Sequence, residues 1–205
     1  MRTKFKQWAV DYLGEHPEVV LSKIDINDDF FKSKPVCFEI GSGKGDFICA
    51  FAKANPQYNF LAVERVETVA GMMAKKIVDQ EITNVRVFPF DAKIIFDSLG
   101  EGFAHSIYLN FVDPWPKKRH AKRRLTFITF LESYYRLLKK DGLLVFKSDN
   151  DGLYEFTVEE LEKTKFVMVE NLPNYEFNEA NDAMTEYERK FRTIGQPIHR
   201  IVCKK

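Results

Sequence analysis

From Val36 onward the chain repeats one unit: a short apolar run, a polar or glycine-rich turn, then an amphipathic stretch at helical spacing. No other sequence feature restricts the fold as strongly. Strands are predicted at Val36–Ile40, Asn59–Val63 and Val85–Phe88, in a fourth run ending at Asn110, and at residues 143–146. Helices are predicted over Asp46–Ala54, along the stripe Val66, Val69, Ala70, Met73 and Ile77, and over residues 125–138, the last stopped by Asp141-Gly142. A further helix over 153–161 precedes two closing strands at 166–169 and 198–202. Such alternation implies an α/β fold: a Rossmann-like, seven-stranded, mostly parallel sheet with helices on both faces. Residues 1–35 read as an N-terminal extension, with a helix over 4–13 anchored by Trp8 and a loop over 21–34. Residues 36–205 form the main domain.

An acid lies within or just beyond each of the first five strands: Glu39, Glu64, Asp91, Asp113 and Asp149. The carboxyl ends of the strands form the ligand crevice of open α/β sheets. Carboxylates gathered on one rim need cationic or hydrogen-bonding ligands, because burying them unpartnered is costly. Polar loops would account for one or two such acids and account less well for all five.

Gly41, Gly43 and Gly45 alternate directly after the first strand, a spacing that lets backbone approach a ligand where a Cβ would clash. Two phosphate-binding motifs fail against it. The P-loop has Phe38 in place of its first glycine, and Gly45 follows Lys44. The dinucleotide fingerprint has Asp46 in place of its third glycine, where it would repel a pyrophosphate. Glu64 follows the loop by about 20 residues, the distance at which an acid reaches ribose hydroxyls. A nucleoside with a cationic tail and no phosphate suits these groups, and S-adenosylmethionine is such a ligand. Asp91-Ala92 would then meet the adenine amine, and Glu39 the amino-acid end.

Asp113 sits in Phe111-Val112-Asp113-Pro114-Trp115-Pro116, and six of the eight residues from Lys117 to Arg124 are Lys or Arg. Each proline predicts an extended conformation for the residue before it, here Asp113 and Trp115. A carboxylate and an indole followed by cations suit a site that orients a base and holds its phosphates. Trp115 either stacks on that base or packs the loop. Net charge is +1, which argues against a general nucleic-acid coat and leaves this local patch to supply phosphate affinity. A solvated helix face is the plainer reading of such a charge run, and its position beside Asp113 favours phosphate contact. Cys37, Cys49 and Cys203 are scattered and odd in number, which suits a reducing compartment, and no ligand cluster calls for a metal. No apolar run is long enough to span a bilayer, so a cytoplasmic protein without a membrane partner is expected. Oligomeric state is left between monomer and homodimer.

Taken together, Glu39-Ile40-Gly41-Ser42-Gly43-Lys44-Gly45, Glu64, Asp91-Ala92, Asn110 through His120, Lys147-Ser148-Asp149 and Thr185-Glu186-Tyr187-Glu188 resemble the bacterial tRNA (guanine-N7-)-methyltransferases over nearly the whole chain. The Asp-Pro-Trp-Pro-Lys-Lys-Arg-His run carries the resemblance most specifically, while many methyltransferases share the glycine loop. The resemblance implies a class I methyltransferase fold and methyl transfer from S-adenosyl-L-methionine to N7 of guanosine 46 in the tRNA variable loop, releasing S-adenosyl-L-homocysteine. It also implies that Glu39, Gly41, Gly43, Glu64, Asp91, Ala92 and Asp113 line the cofactor site, with Asp113 catalytic. Lys117, Asp149 and the segment Thr185, Glu186, Tyr187, Glu188 would contact substrate, with Arg119, His120, Lys122, Arg123 and Arg124 touching RNA.

Guanine N7 carries a lone pair and no proton, so such a reaction needs positioning and nearby negative charge rather than a strong base. Arg, the usual reader of guanine O6 and N7, would cover the nucleophile. Asp113 and Asp149 are therefore the candidates to read the N1-H and amine edge. Thr185 and Glu188 also spell a helix-opening capping box. The same residues also fit two alternatives: methylation of an exocyclic amine, and a noncatalytic RNA-binding module on a methyltransferase fold.

Overall fold

In the computed structural model, which describes residues 4–179 and 182–205, the strands form one seven-stranded sheet in the order β3-β2-β1-β4-β5-β7-β6. These are β1 (Val36–Ile40), β2 (Asn59–Val63), β3 (Val85–Phe88), β4 (Ala104–Asn110), β5 (Leu138–Ser148), β6 (Val167–Leu172) and β7 (His199–Lys204). β1 to β5 pair in parallel, and only β7 runs against its neighbours. Chain direction across the sheet reverses between β1 and β4, where a crevice opens above the carboxyl ends of both strands.

Alternate residues of the buried strands feed two cores. Val36, Phe38 and Ile40 face one core together with α2 (Asp29–Ser33), α5 (Ala92–Ser98), α6 (Ile128–Leu137) and α7 (Asp151–Leu161). Cys37, Phe60 and Ala62 face the other, beneath α3 (Asp46–Ala54) and α4 (Glu67–Asp79). The remaining helices are α1 (Gln7–Glu15) and α8 (Glu186–Thr193).

Several sequence expectations are corrected. Residues 21–34 are not all loop: Asp28 caps the five-residue helix α2, which buries Phe30 and Phe31. Trp8 is 45% exposed, so α1 is anchored instead by Ala9, whose carbonyl lies where a Cβ on Gly71 of α4 would be. α5, started by Asp91 accepting from the Lys93 N–H, was not foreseen. The helix expected over 125–138 spans only Ile128–Leu137, because the Glu160 carboxylate of α7 accepts from the Ile128 N–H and fixes its start. Leu125 is thereby left outside the helix. Asp141-Gly142 lies inside β5 rather than at the helix end, where register with β4 shifts between the pairs Ala104/Leu138 and Ser106/Leu143. Arg2, which with Lys4 and Lys6 makes the start of the sequence basic, lies outside the described residues.

Candidate active site

The glycine turn between β1 and α3 is stitched to the end of β2. Gly41 and Ser42 N–H groups donate to the Val63 carbonyl at 2.9 and 3.1 Å. The Ser42 hydroxyl donates to the Glu39 carbonyl and accepts from the Val63 N–H. Glu64 completes the stitching, with one carboxylate oxygen accepting from Gly43 N–H at 3.1 Å and the other from Val66 N–H at 2.9 Å. Gly43 has φ +55° and no protein atom within 4 Å of where a Cβ would sit, so its open side faces the crevice.

That crevice encloses about 450 Å³, within the range of small-molecule sites. Gly41, Gly43, Glu64, Asp91, Ala92 and Asp113 all border it, so six of the seven expected cofactor residues converge on one cavity. Glu39 does not border it. It lies beneath, 2% exposed, with Oε1 accepting from Asn110 Nδ2 at 3.0 Å. Glu39 Oε2 and Asn110 Oδ1 are both buried acceptors without a donor. Burial pushes the Glu39 carboxyl up to about 8, against the hydrogen bond from Asn110 and the charge of Lys147. Lys147 cannot satisfy it directly, because its ammonium is held by Asp182, Glu188 and the Ala183 carbonyl. Burial likewise raises Glu64.

These groups suit S-adenosylmethionine. Asn110 Oδ1 and, when Glu39 is ionised, its Oε2 lie beneath the cavity as acceptors without donors, and an ammonium group only donates. Carboxylates of Glu64 and Asp91 keep free lone pairs on the cavity wall, and Ile40, Val63, Val66, Val112, Leu125 and Phe130 supply apolar lining. The sequence reading missed this apolar wall. Leu125 is expected inside a helix over 125–138, whereas α6 starts at Ile128 and leaves Leu125 on the cavity wall. Among the described residues, no group of three or more His, Cys, Asp or Glu side chains is arranged to hold a metal ion.

The basic run forms a short 3-10 helix, Lys118–Arg123, beside the cavity, and Lys122 and Arg123 border it. Lys117, Lys118, Arg119, Lys122 and Arg123 are exposed, while His120 is half-buried against Trp115. Arg124, expected to touch RNA, is corrected to an internal role. Its Nε donates to the Pro114 carbonyl and Nη2 to the Trp115 carbonyl, with the guanidinium 4.2 Å from the Phe156 ring centroid. Trp115 is corrected as well: its φ is +41°, not extended. Arg124 fixes its carbonyl, and the Arg123 guanidinium lies 5.0 Å from the indole centroid.

Asp149 follows β5 directly and accepts from the Tyr187 hydroxyl at 3.1 Å; it does not border the cavity. Thr185 caps α8 by accepting from the Glu188 N–H at 2.8 Å. Glu188, expected to contact substrate, is instead wholly buried. Its carboxylate accepts from Lys147 at 2.9 Å and from Arg192 at 2.8 and 3.0 Å. In that segment Tyr187 is presented outward, 45% exposed, and Thr185 is half-buried; the Glu186 side chain lies outside the described residues.

A family model described as "Putative methyltransferase" matches residues 33–201. A protein of an Exiguobacterium species named tRNA (guanine-N(7)-)-methyltransferase is 41% identical, the match covering 98% of this chain and 96% of the relative. A Lactobacillus delbrueckii protein of the same name is 42% identical over 97% of this chain and 96% of the relative. Among solved structures, 16S rRNA methyltransferase KamB superposes with a TM-score of 0.68 at 10% identity, covering 91% of this chain and 97% of the other. An antibiotic-related methyltransferase gives 0.62 at 16% identity, covering 100% and 96%. At such identities these two structures speak for the fold alone, a Rossmann-like methyltransferase architecture.

Proposed function

The chain belongs to the tRNA (guanine-N7-)-methyltransferase family, and from that premise we propose that it methylates N7 of guanosine 46 in the tRNA variable loop. The observation that carries this reading is the convergence of Glu64, Asp91 and Asp113 on one cavity above the β1/β4 crevice, directly beside an exposed cationic helix. S-adenosyl-L-methionine supplies the electrophilic methyl group when bound and leaves as S-adenosyl-L-homocysteine.

Each residue's part follows from its position. Glu64 accepts from ribose hydroxyls while holding the glycine turn, and Asp91 accepts from the adenine amine beside Ala92. Glu39 and Asn110 lie beneath the cavity without bordering it, so they would meet the ammonium through water. Asp113, exposed at the cavity edge, places a negative charge beside the purine as its imidazole ring becomes cationic. It removes no proton, since N7 carries none. Asp149, oriented by the Tyr187 hydroxyl, accepts from the N1-H and amine edge and so leaves N7 open. Lys117, Arg119, His120, Lys122 and Arg123 meet phosphates, a contact that positions the RNA without reading its sequence.

Nucleoside analysis of unmodified tRNA after reaction tests this directly, with 7-methylguanosine expected. N6-methyladenosine in its place would move the reaction to an exocyclic amine. Asp113→Ala is expected to abolish turnover and largely spare tRNA affinity, whereas equal loss of both would make Asp113 a folding residue. Binding of tRNA with no heat of S-adenosylmethionine binding in calorimetry would leave only an RNA-binding module.

A further inference from the structure

Three aromatic rings form a column that ends at the cavity. Phe191 of α8 stacks on Tyr187 with centroids 4.3 Å apart and planes at 27°. Tyr187 packs on Phe111 with centroids 5.2 Å apart and planes tilted by 51°, a ring contact rather than a parallel stack. Phe111 borders the same cavity as Asp113, two residues away in the loop after β4. We infer that Phe111 is the surface on which the target base stacks, as the next ring of this column, which deepens the functional reading above and rests on it.

The backbone supports the assignment. Phe111 has φ +51°, a left-handed backbone in which a bulky L residue is strained. Such strain persists where surrounding structure over-determines it, and it concentrates at ligand sites. Here the Phe111 N–H is tied to the Lys147 carbonyl at 2.9 Å. Behind Phe111, Tyr187 is held at its hydroxyl by Asp149, and the next residue, Glu188, is locked to Lys147 and Arg192. The buried acid of the Thr185–Glu188 segment thus acts as a strut that keeps Tyr187 against Phe111. Asp149, the candidate reader of the guanine edge, is fixed to the same column.

Trp115 is the competing platform, and its surroundings disfavour it. Its ring is already engaged by the Arg123 guanidinium at 5.0 Å and by the edge of His120 at 5.7 Å. Those contacts brace the loop that carries Asp113. Phe111 has Tyr187 behind it and the cavity in front. A purine that turns cationic on methylation gains from an aromatic face, which attracts cations.

Steady-state kinetics on unmodified tRNA, with Phe111→Leu, Phe111→Tyr, Phe111→Trp and Trp115→Phe, test the assignment. Base stacking of the usual strength predicts that Phe111→Leu lowers kcat/KM for tRNA about 10- to 100-fold. Phe111→Tyr and Phe111→Trp should restore most of it, and S-adenosylhomocysteine affinity should stay within about twofold throughout. Trp115→Phe is expected to cost less than Phe111→Leu. Wild-type turnover to 7-methylguanosine with Phe111→Leu unimpaired would overturn this inference and leave the function standing. The inference is also overturned if leucine and the aromatic variants lose activity equally, because Phe111 would then serve packing alone. Absence of 7-methylguanosine from the wild-type reaction would overturn both readings.

Discussion

Replacing Lys147 by Met removes a charge that holds two elements together. The ammonium is fully buried and lies within 2.8–3.1 Å of both Asp182 oxygens, the Ala183 carbonyl and Glu188 Oε2, with the Phe47 ring centroid at 5.3 Å. Met fills similar volume and satisfies none of these acceptors. Asp182 would keep its bond from the Ala183 N–H, and Glu188 would keep Arg192, but each loses its buried cation. Breaking one partner out of a buried pair costs about 3–5 kcal/mol. For a chain of this size each kcal/mol moves Tm by about 2–4 °C, so a fall of roughly 6–20 °C is expected. Calorimetry gives the Tm, and hydrogen exchange shows where stability is lost: protection should fall across residues 182–193. Adding Glu188→Gln to Lys147→Met removes one stranded charge, so the double variant should lose less than the two single losses summed. A Tm drop below about 3 °C for Lys147→Met would refute the reasoning, since the network would then contribute only about 1 kcal/mol.

Three other perturbations follow from particular contacts. Burial raises Glu39 from an ordinary 4.5 to about 8, so the folded chain holds a proton that the unfolded chain releases between those values. Stability from this group therefore falls as pH rises from about 4.5 to about 8. Glu39→Gln should flatten the Tm profile across that window, and a variant as steep as wild type would contradict the assignment. Gly71→Ala gains about 1 kcal/mol of helix propensity but places a Cβ 1.7 Å from the Ala9 carbonyl oxygen. The clash should win, lowering Tm and opening residues 7–15 to proteolysis; a raised Tm would reverse that sign. If about four of the exposed cations of the 117–123 run meet phosphates, log affinity for tRNA should fall with log salt at a slope of roughly −3 to −4. Lys122→Ala should make the slope shallower by about 1, whereas Arg124→Ala should leave it unchanged, because that guanidinium already binds the Pro114 and Trp115 carbonyls.

Local pattern was enough for much of this protein. Val36–Ile40, Asp46–Ala54, Asn59–Val63 and Val85–Phe88 lie where their apolar patterns put them, since a strand buried on both faces leaves a short apolar run and a helix buried on one side leaves a repeat. The acids Glu64, Asp91 and Asp113 were legible for a related reason: the carboxyl ends of the strands in an open α/β sheet form the ligand crevice, although Asp149, directly after β5, meets Tyr187 and not the cavity. Thr185 was legible as a cap because its partner is three residues away. What tertiary structure alone decided depends on atoms that arrive from distant segments. α6 begins at Ile128 because Glu160 of another helix accepts its N–H, and that start puts Leu125 on the cavity wall. Trp115 takes a left-handed backbone with the Arg124 guanidinium on its carbonyl. Glu188 became a buried counter-ion because Lys147, 41 residues earlier, is fully buried on β5 with its ammonium against the carboxylate. Sequence period reports which side of an element is dry; it does not report which charged group from elsewhere will share that dry space.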